Sequence, residues 1–226
     1  MGKLLVKERE IVIPGQELAE GLDYLPGQGT FREDNKIIAN YLGLLSTNER
    51  FIKVIPLTGR YIPKVNDLVI GKVVEIGFYG WSIDIGSAYN AMLSIRDAAE
   101  FIERDDDLTK YYDYGDLVVA KINKVTRSKS IDLTTKGPGL KKLDGGKIID
   151  VTPSKVPRMI GKQGSMIQLI KEKTGCNIII GQNGRVWIKG ESTEKEILAS
   201  NAIIKIEQES HTEGLTDKIK KMLEKK

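Results

Sequence analysis

The stretch Ile160-Gly161-Lys162-Gln163-Gly164 lies between two segments with helical patterns, residues 153–159 and 165–173. Two glycines separated by two residues let the backbone of a turn approach a ligand closely, because no side chain stands in the way. The second helix would begin at this turn, so its free N–H groups and positive dipole end would face the ligand. Lys162 adds a mobile positive charge. The turn is therefore a candidate site for an anion such as a phosphodiester backbone.

Length and composition favour a soluble chain with more than one domain. The chain has 226 residues, of which 40% are hydrophobic and 29% are charged, so two or three packed domains are expected. No apolar run approaches the roughly 18 residues that a membrane-spanning helix needs. Residues 1–10 lack the apolar core of a signal peptide. We therefore expect a cytoplasmic protein that does not enter a membrane.

The scarcity of cysteine and histidine argues against several kinds of active site. Cys176 is the only cysteine and His211 the only histidine, so disulfides, thiolate zinc sites and Ser-His-Asp catalysis lack the residues they need. The acidic run Glu103-Arg104-Asp105-Asp106-Asp107 could hold Mg²⁺. Its consecutive side chains point in different directions, however, and a solvated acidic loop explains it better. We expect no catalytic residue, no metal and no cofactor.

The segments around the glycine turn give it a structural context. Residues 147–151 and 176–180 have strand patterns, and Asn183-Gly184 is a hairpin signal before the alternating residues 185–189. Ser192 caps a final helix whose apolar residues recur at helical spacing. The predicted order is β-α-α-β-β-α, with the turn between the first two helices.

This order, together with the turn, resembles a KH domain of type I, an RNA-binding α/β module. The resemblance implies that bases lie in a groove between the helix after Gly164 and the strand at 178–180. Three isoleucines are candidate groove walls, although apolar residues at these spacings are equally expected in the core. Lys162 has little structural reason to lie in a turn, so we expect it to contact phosphate. The implied RNA-binding residues are Ile160, Gly161, Lys162, Gln163, Gly164, Ile167 and Ile179.

Residues 63–137 have the pattern of a small closed barrel. Five strands are predicted, with an acidic helical insertion before the fourth, and this describes an OB-type barrel. The strands cover residues 69–76, 81–85, 91–95, 117–125 and 130–134. The runs Asp67-Leu68-Val69-Ile70-Gly71, Tyr79-Gly80, Met92-Leu93-Ser94-Ile95 and Tyr114-Gly115-Asp116-Leu117 resemble the S1 type of OB-fold domain. Such domains bind single-stranded RNA through exposed aromatic residues and a histidine.

The barrel departs from the S1 pattern at informative positions. Tyr79 matches the first aromatic residue, but Ser82 and Ser94 stand where the second aromatic residue and the histidine are expected. Trp81 lies on the same side of its strand as the core-facing residues Ile83 and Ile85. We therefore expect its ring to pack in the barrel core rather than to stack on a base. RNA binding by this barrel would therefore be mainly electrostatic. The candidate contacts are Lys72, Phe78, Tyr79, Lys121, Lys124, Arg127 and Lys129.

The remaining segments carry weaker signals. Residues 1–62 contain short strand-like runs separated by glycine and proline, which predicts a small β domain. Its glycines are explained as turn formers, and the functional alternative is a docking surface for a partner protein. Residues 141–146 look like a flexible basic linker. Residues 212–226 look like a short amphipathic helix or a frayed tail with a solvated surface.

The combination resembles the RNA-binding cap subunits of the archaeal exosome. The expected fold is multidomain, mainly β plus α/β: an N-terminal β domain (1–62), an S1-type barrel (63–137), a KH domain (145–211) and a helical tail (212–226). The resemblance implies a non-catalytic subunit. Three copies would dock through residues 1–62 on a hexameric ring of phosphorolytic subunits and direct the 3′ end of single-stranded RNA into its chamber. A sister cap subunit carries a zinc ribbon, which a single cysteine excludes.

Two other functions remain as alternatives. Polynucleotide phosphorylase also combines KH and S1 domains, but it carries large catalytic domains ahead of them and has them in the reverse order. A free-standing RNA chaperone or translation-related factor would be recovered without ring subunits.

Overall fold

The computed structural model describes residues 2–103, 106–210 and 214–224. Arg104, Asp105 and His211, which figured in the sequence analysis, lie outside this range. The chain divides into two compact units, residues 1–59 and 60–226. Every helix in the described ranges is too short or too polar to cross a membrane.

The first unit is a small β domain, as predicted. Its strands form two sheets, ordered β1-β3-β6-β5 and β2-β7-β8-β4. Alternate residues point inward, so Ile52 and Val54 on β8 share one core with Leu18 on β3. The strands are β1 (Lys3–Leu4), β2 (Ile11–Val12), β3 (Glu17–Glu20), β4 (Leu25–Pro26), β5 (Thr30–Glu33), β6 (Lys36–Ala39), β7 (Gly43–Asn48) and β8 (Phe51–Pro56).

The second unit begins with the predicted closed barrel. Its strands are β9 (Leu68–Gly77), β10 (Gly80–Asp84), β11 (Ala91–Ser94), β12 (Leu117–Val125) and β13 (Ile131–Thr134), with β14 (Lys142–Leu143) added on β12. The order is β13-β11-β10-β9-β12-β14, and pairing of β13 with β12 closes the barrel. Two short 3₁₀ turns, Ile95–Asp97 and Leu108–Lys110, take the place of the predicted helical insertion.

The KH module follows with the predicted β-α-α-β-β-α order. The elements in this order are β15 (Lys147–Asp150), α1 (Val156–Ile160), α2 (Ser165–Thr174), β16 (Asn177–Ile180), β17 (Arg185–Lys189) and α3 (Thr193–Gln208), and a further helix, α4 (Leu215–Glu224), follows them. The sheet order is β15-β17-β16, which leaves β16 at the edge beside α2. The helices cover one face of this sheet, where Ile178, Val186 and Ile188 are buried.

The other face of the KH sheet packs against the barrel. Ile70, Val119, Leu143 and Trp187 form a buried set that we call the junction cluster, with Ile148 and Ile179 packed beside it. Sheets covered on both faces have continuous apolar runs rather than alternation. Residues 178–180 and 186–188 are such runs. The barrel and the KH module therefore share a core.

Two sequence expectations are corrected by this packing. Residues 141–146 are not a free linker: Lys142–Leu143 pairs with β12, and Leu143 is buried in the junction cluster. The C-terminal segment does form a helix, but it is not a solvated tail. Leu215, Ile219 and Leu223 of α4 are buried in the KH core, so α4 belongs to the KH module.

Candidate nucleic-acid interface

The turn from Gly161 to Gly164 has a backbone that glycine makes possible. Gly161 has φ 75°, and a Cβ there would lie 2.8 Å from both the nitrogen and the Cβ of Met166. Gly164 has φ 80° and would meet nothing within 4 Å, so its outer side is open to a ligand. Between them, Lys162 and Gln163 are exposed. Gln163 has φ 54°, a left-handed backbone conformation that residues with a side chain adopt only at a cost in free energy.

The start of α2 is available to an anion at this turn. Its N-cap residue is Gly164, which has no side chain to accept from the first N–H groups, and the first turn of α2 contains no acidic residue. The free N–H groups at the start of a helix favour a phosphate or carboxylate oxygen. The turn thus combines open backbone, a helix N-terminus and the Lys162 charge.

The three candidate groove isoleucines do not lie together. Ile160 and Ile167 are partly buried against the KH core, on either side of the turn. Ile179 points to the opposite face of the sheet from Ile178 and Ile180 and packs beside the junction cluster. For Ile179, of the two interpretations that the sequence leaves open, this position favours packing, because the alternation of side chains along β16 turns Ile179 toward the barrel.

The β9–β10 turn of the barrel exposes two aromatic residues, and the strand that follows it buries a third. Phe78 and Tyr79 form the β9–β10 turn and are 91% and 85% exposed. Trp81 is fully buried, as predicted. Its Nε1 donates to the Tyr112 carbonyl oxygen at 2.9 Å, and its ring lies edge-on to the Tyr112 ring with centroids 5.0 Å apart. Of these three rings, those of Phe78 and Tyr79 are therefore the ones available to stack on a base.

The predicted basic contacts fall into separate places. Lys72 pairs with Leu117, and Lys121 pairs with Leu68. These lysines therefore flank the part of the β9–β12 surface that the KH sheet covers. Arg127 and Lys129 lie in the β12–β13 turn. Because Asp132 pairs with Met92 while Gly80 pairs with Ser94, that turn and the Phe78–Tyr79 turn lie at opposite ends of the barrel.

A polar junction between the barrel and the KH module was missed by the sequence reasoning. Asn183 is buried, and its Nδ2 donates to the Ile70 and Ile85 carbonyl oxygens at 2.8 and 2.9 Å. Beside it, Arg185 donates from Nη1 to the Asp84 carbonyl oxygen at 2.6 Å and pairs with the Asp84 carboxylate. The pattern Asn183-Gly184 by itself indicates only a hairpin turn.

The ion pair shifts the titration of Asp84. Burial disfavours its charged form, but hydrogen bonds from Arg185 and the Gly86 amide, together with the charges of Arg185 and Lys72, outweigh that effect. The pKa of Asp84 is therefore below its usual value of 3.8.

The acidic loop has local structural roles in its described part. The Asp106 carboxylate accepts from the Tyr111 hydroxyl at 3.0 Å and from the Glu103 amide at 3.1 Å. Asp107 accepts from the Thr109 amide and hydroxyl, and these bonds lower the pKa of Asp107. Within residues 2–103, 106–210 and 214–224, no three side chains of metal-binding type converge.

Comparison with known proteins assigns the three parts of the chain. Residues 9–58 match the family model described as the N-terminal domain of the exosome RNA-binding protein RRP4, and residues 60–104 match the RRP4 S1 domain. Residues 146–194 match a KH domain. The chain is also similar to a crystal structure titled as that of an exosome complex RNA-binding protein. That likeness has a TM-score of 0.67 and 36% identity, and it covers 74% of this chain and 96% of the other.

Curated relatives agree over nearly the full length. The exosome complex component Rrp4 of Thermococcus kodakarensis is 50% identical over 99% of this chain and 88% of its own length. The protein of the same name from Pyrococcus furiosus is 48% identical over 99% of this chain and 86% of its own. With the fold and the glycine turn described above, these similarities show that the chain belongs to the Rrp4 family of exosome complex components.

Proposed function

We propose that this protein is a non-catalytic, RNA-capturing subunit of a cytoplasmic exosome. The observation that carries the proposal is the open Gly161–Gly164 turn, with exposed Lys162, at an uncapped helix N-terminus in a chain of this family. Single-stranded RNA offers the phosphates for the turn and bases for a groove beside Ile160 and Ile167. The non-catalytic role is supported by the single cysteine and histidine and by the local use of Asp106 and Asp107.

The N-terminal unit has a surface suited to docking. Ile11 pairs with Leu44, and Leu44 pairs with Ile55, so these three side chains form a row on one face of the sheet. Ile11 and Ile55 are 59% and 48% exposed. Exposed apolar rows of this kind are typical of protein–protein contacts. This supports docking of residues 1–62 on the ring of phosphorolytic subunits.

The assembly adds to RNA capture. Three copies on a hexameric ring would bring several weak RNA sites together, and linked weak sites bind far more tightly than each alone. The barrels and KH modules would then hold single-stranded RNA and direct its 3′ end into the processing chamber.

Reconstitution tests this proposal. The purified chain is mixed with purified ring subunits, the mass of the intact complex is measured, and decay of a 5′-labelled RNA is followed. We expect a complex with three copies of this chain, faster decay than by the ring alone, and no decay by this chain alone. Failure to join the ring, or RNA cleavage by the isolated chain, would contradict the proposal.

A further inference from the structure

The edge of β16 that faces the groove leads to a backbone contact with the first strand of the barrel. Gly181 donates to the Arg185 carbonyl oxygen at 2.8 Å, so alternate residues of this strand bond to β17. The backbone groups of Ile178 and Ile180 therefore point the other way, toward the groove beside α2. The next group on that edge, the Gln182 amide, donates to the Leu68 carbonyl oxygen at 2.7 Å. The groove thus ends at the first residue of β9.

Basic side chains follow one another along β12, starting beside this point. Lys121 pairs with Leu68 across the two strands. Val118, Ala120 and Ile122 point into the barrel core, so Lys121 points outward. Lys124 follows a register shift and is exposed, as are Arg127 and Lys129 in the next turn.

These four residues are an available positive surface. Among the described residues, none of the ion pairs involves Lys121, Lys124, Arg127 or Lys129. One carboxylate, Asp132, pairs across from Lys124, so the strip keeps an excess of positive charge. Two hydrogen bonds hold the β12–β13 turn: the Thr126 amide donates to the Ser130 carbonyl oxygen at 2.9 Å, and the Ser130 amide donates to Thr126 Oγ1 at 3.0 Å. Arg127 and Lys129 therefore lie on an ordered turn.

We propose that a single RNA strand passes from the KH groove onto this outer strip of β12, where Lys121, Lys124, Arg127 and Lys129 bind its phosphates. The two modules then form one continuous RNA track, held in place by the shared junction. This rests on the proposed RNA capture at the Gly161–Gly164 turn. The Phe78–Tyr79 turn lies at the other end of the barrel and is not part of this track.

Binding of short and long RNA by the full chain separates the track from the turn. A KH groove holds about four nucleotides, so fluorescently labelled oligouridylates of five and twelve nucleotides are titrated at several salt concentrations. The track variant is Lys121→Gln with Lys124→Gln. The control, Lys220→Gln with Lys221→Gln, removes the same charge from exposed positions of α4.

We expect the track variant to bind the twelve-mer roughly tenfold more weakly at low salt and the five-mer as the wild type does. Each lost phosphate contact lowers the slope of log affinity against log salt by about 0.7, so two lower it by about 1.4. Lys121→Arg with Lys124→Arg should retain twelve-mer binding. Equal losses of affinity for both RNAs, or a loss of twelve-mer affinity no greater than that of the control variant, would overturn the proposed track.

The Lys162→Asp, Gln163→Asp variant distinguishes failure of the track from failure of the proposed RNA capture at the turn. If this variant weakens the binding of both RNAs while the track variant changes the binding of neither, only the track is wrong. If neither variant changes the binding of either RNA, the proposed RNA capture by this turn is wrong as well.

Discussion

The side chain of Asn183 binds both backbone polar groups of Ile70, a residue 113 positions earlier in the chain. Its Oδ1 accepts from the Ile70 amide at 3.2 Å, and its Nδ2 donates to the Ile70 carbonyl oxygen at 2.8 Å. The carboxamide of asparagine carries an acceptor oxygen beside a donor NH₂ group, so one side chain can bind an N–H and a C=O together. A Cβ at Gly181 would lie 3.0 Å from the Ile70 nitrogen, so the approach of the hairpin also requires glycine.

Replacing Asn183 should loosen this junction. Asn183→Ala removes three hydrogen bonds and leaves buried backbone groups without partners, so we expect the free energy of unfolding to fall by roughly 2–4 kcal/mol. Urea denaturation measures it. The matched control is Asn177→Ala, since Asn177 is exposed on β16. A loss no larger than the control's would show that the junction does not depend on Asn183.

The Asp84–Arg185 pair predicts a dependence on pH. The folded pKa of Asp84 is below 3.8, so its contribution to stability is present above that value and is lost as the pH falls through the folded pKa. Asp84→Asn should therefore destabilise the protein at pH 7, and the difference from wild type should shrink below about pH 4. Thermal denaturation at a series of pH values tests this.

Asp150 supplies the control for that series. Its carboxylate lies 3.8 Å from Arg185 Nε, and its side chain is 82% exposed, so Asp150→Asn should change stability little at any pH. A constant difference for Asp84→Asn across the pH range would contradict the assignment.

The two glycines of the 161–164 turn should differ in their tolerance of alanine. Gly161→Ala combines positive φ with a contact 2.8 Å from Met166, so we expect a loss of about 3 kcal/mol. Gly164→Ala meets no neighbour and should cost only about 1 kcal/mol from its backbone conformation. Urea denaturation of both variants checks the order, and equal losses would show that the turn rearranges.

Much of this fold could be predicted from local patterns. The KH order followed from the turn and its flanking periodicities, and strand parity placed Trp81 in the core. Ile179 was harder, because alternation shows that it faces away from Ile178 but not what covers that face. The uninterrupted runs at 178–180 and 186–188 were the available signal for a sheet buried on both sides.

Other features depend on contacts that no local pattern contains. Asn183-Gly184 has the signature of an ordinary hairpin, and only the distant Ile70 and Ile85 backbone reveals the role of the side chain. Glycine and lysine in residues 141–146 suggested a free linker, yet Leu143 had a partner in the barrel. The amphipathic pattern of α4 was visible, but the groove between α2 and α3 that receives it was not.

The aromatic turn of the barrel should contribute a second RNA contact, separate from the β12 track, without affecting stability. Phe78 and Tyr79 are almost fully exposed, so their replacement by alanine should leave the unfolding midpoint unchanged. If bases stack on them, each stacked base is worth about 1–3 kcal/mol, and affinity for single-stranded RNA should fall tenfold or more. Phe101→Ala is the control, because Phe101 is 89% exposed and lies outside the predicted site. Similar effects of the two changes would argue against stacking at this turn.

The central claim, that the turn at 161–164 captures single-stranded RNA, is tested most directly by reversing its charge. Lys162→Asp with Gln163→Asp places carboxylates where phosphate oxygens should bind. The control, Lys220→Asp with Gln208→Asp, makes the same change in net charge at exposed helix positions. In a low-salt titration with labelled RNA, we expect at least tenfold weaker binding for the turn variant, a smaller loss for the control, and unchanged circular dichroism for both. Wild-type affinity in the turn variant would contradict the account.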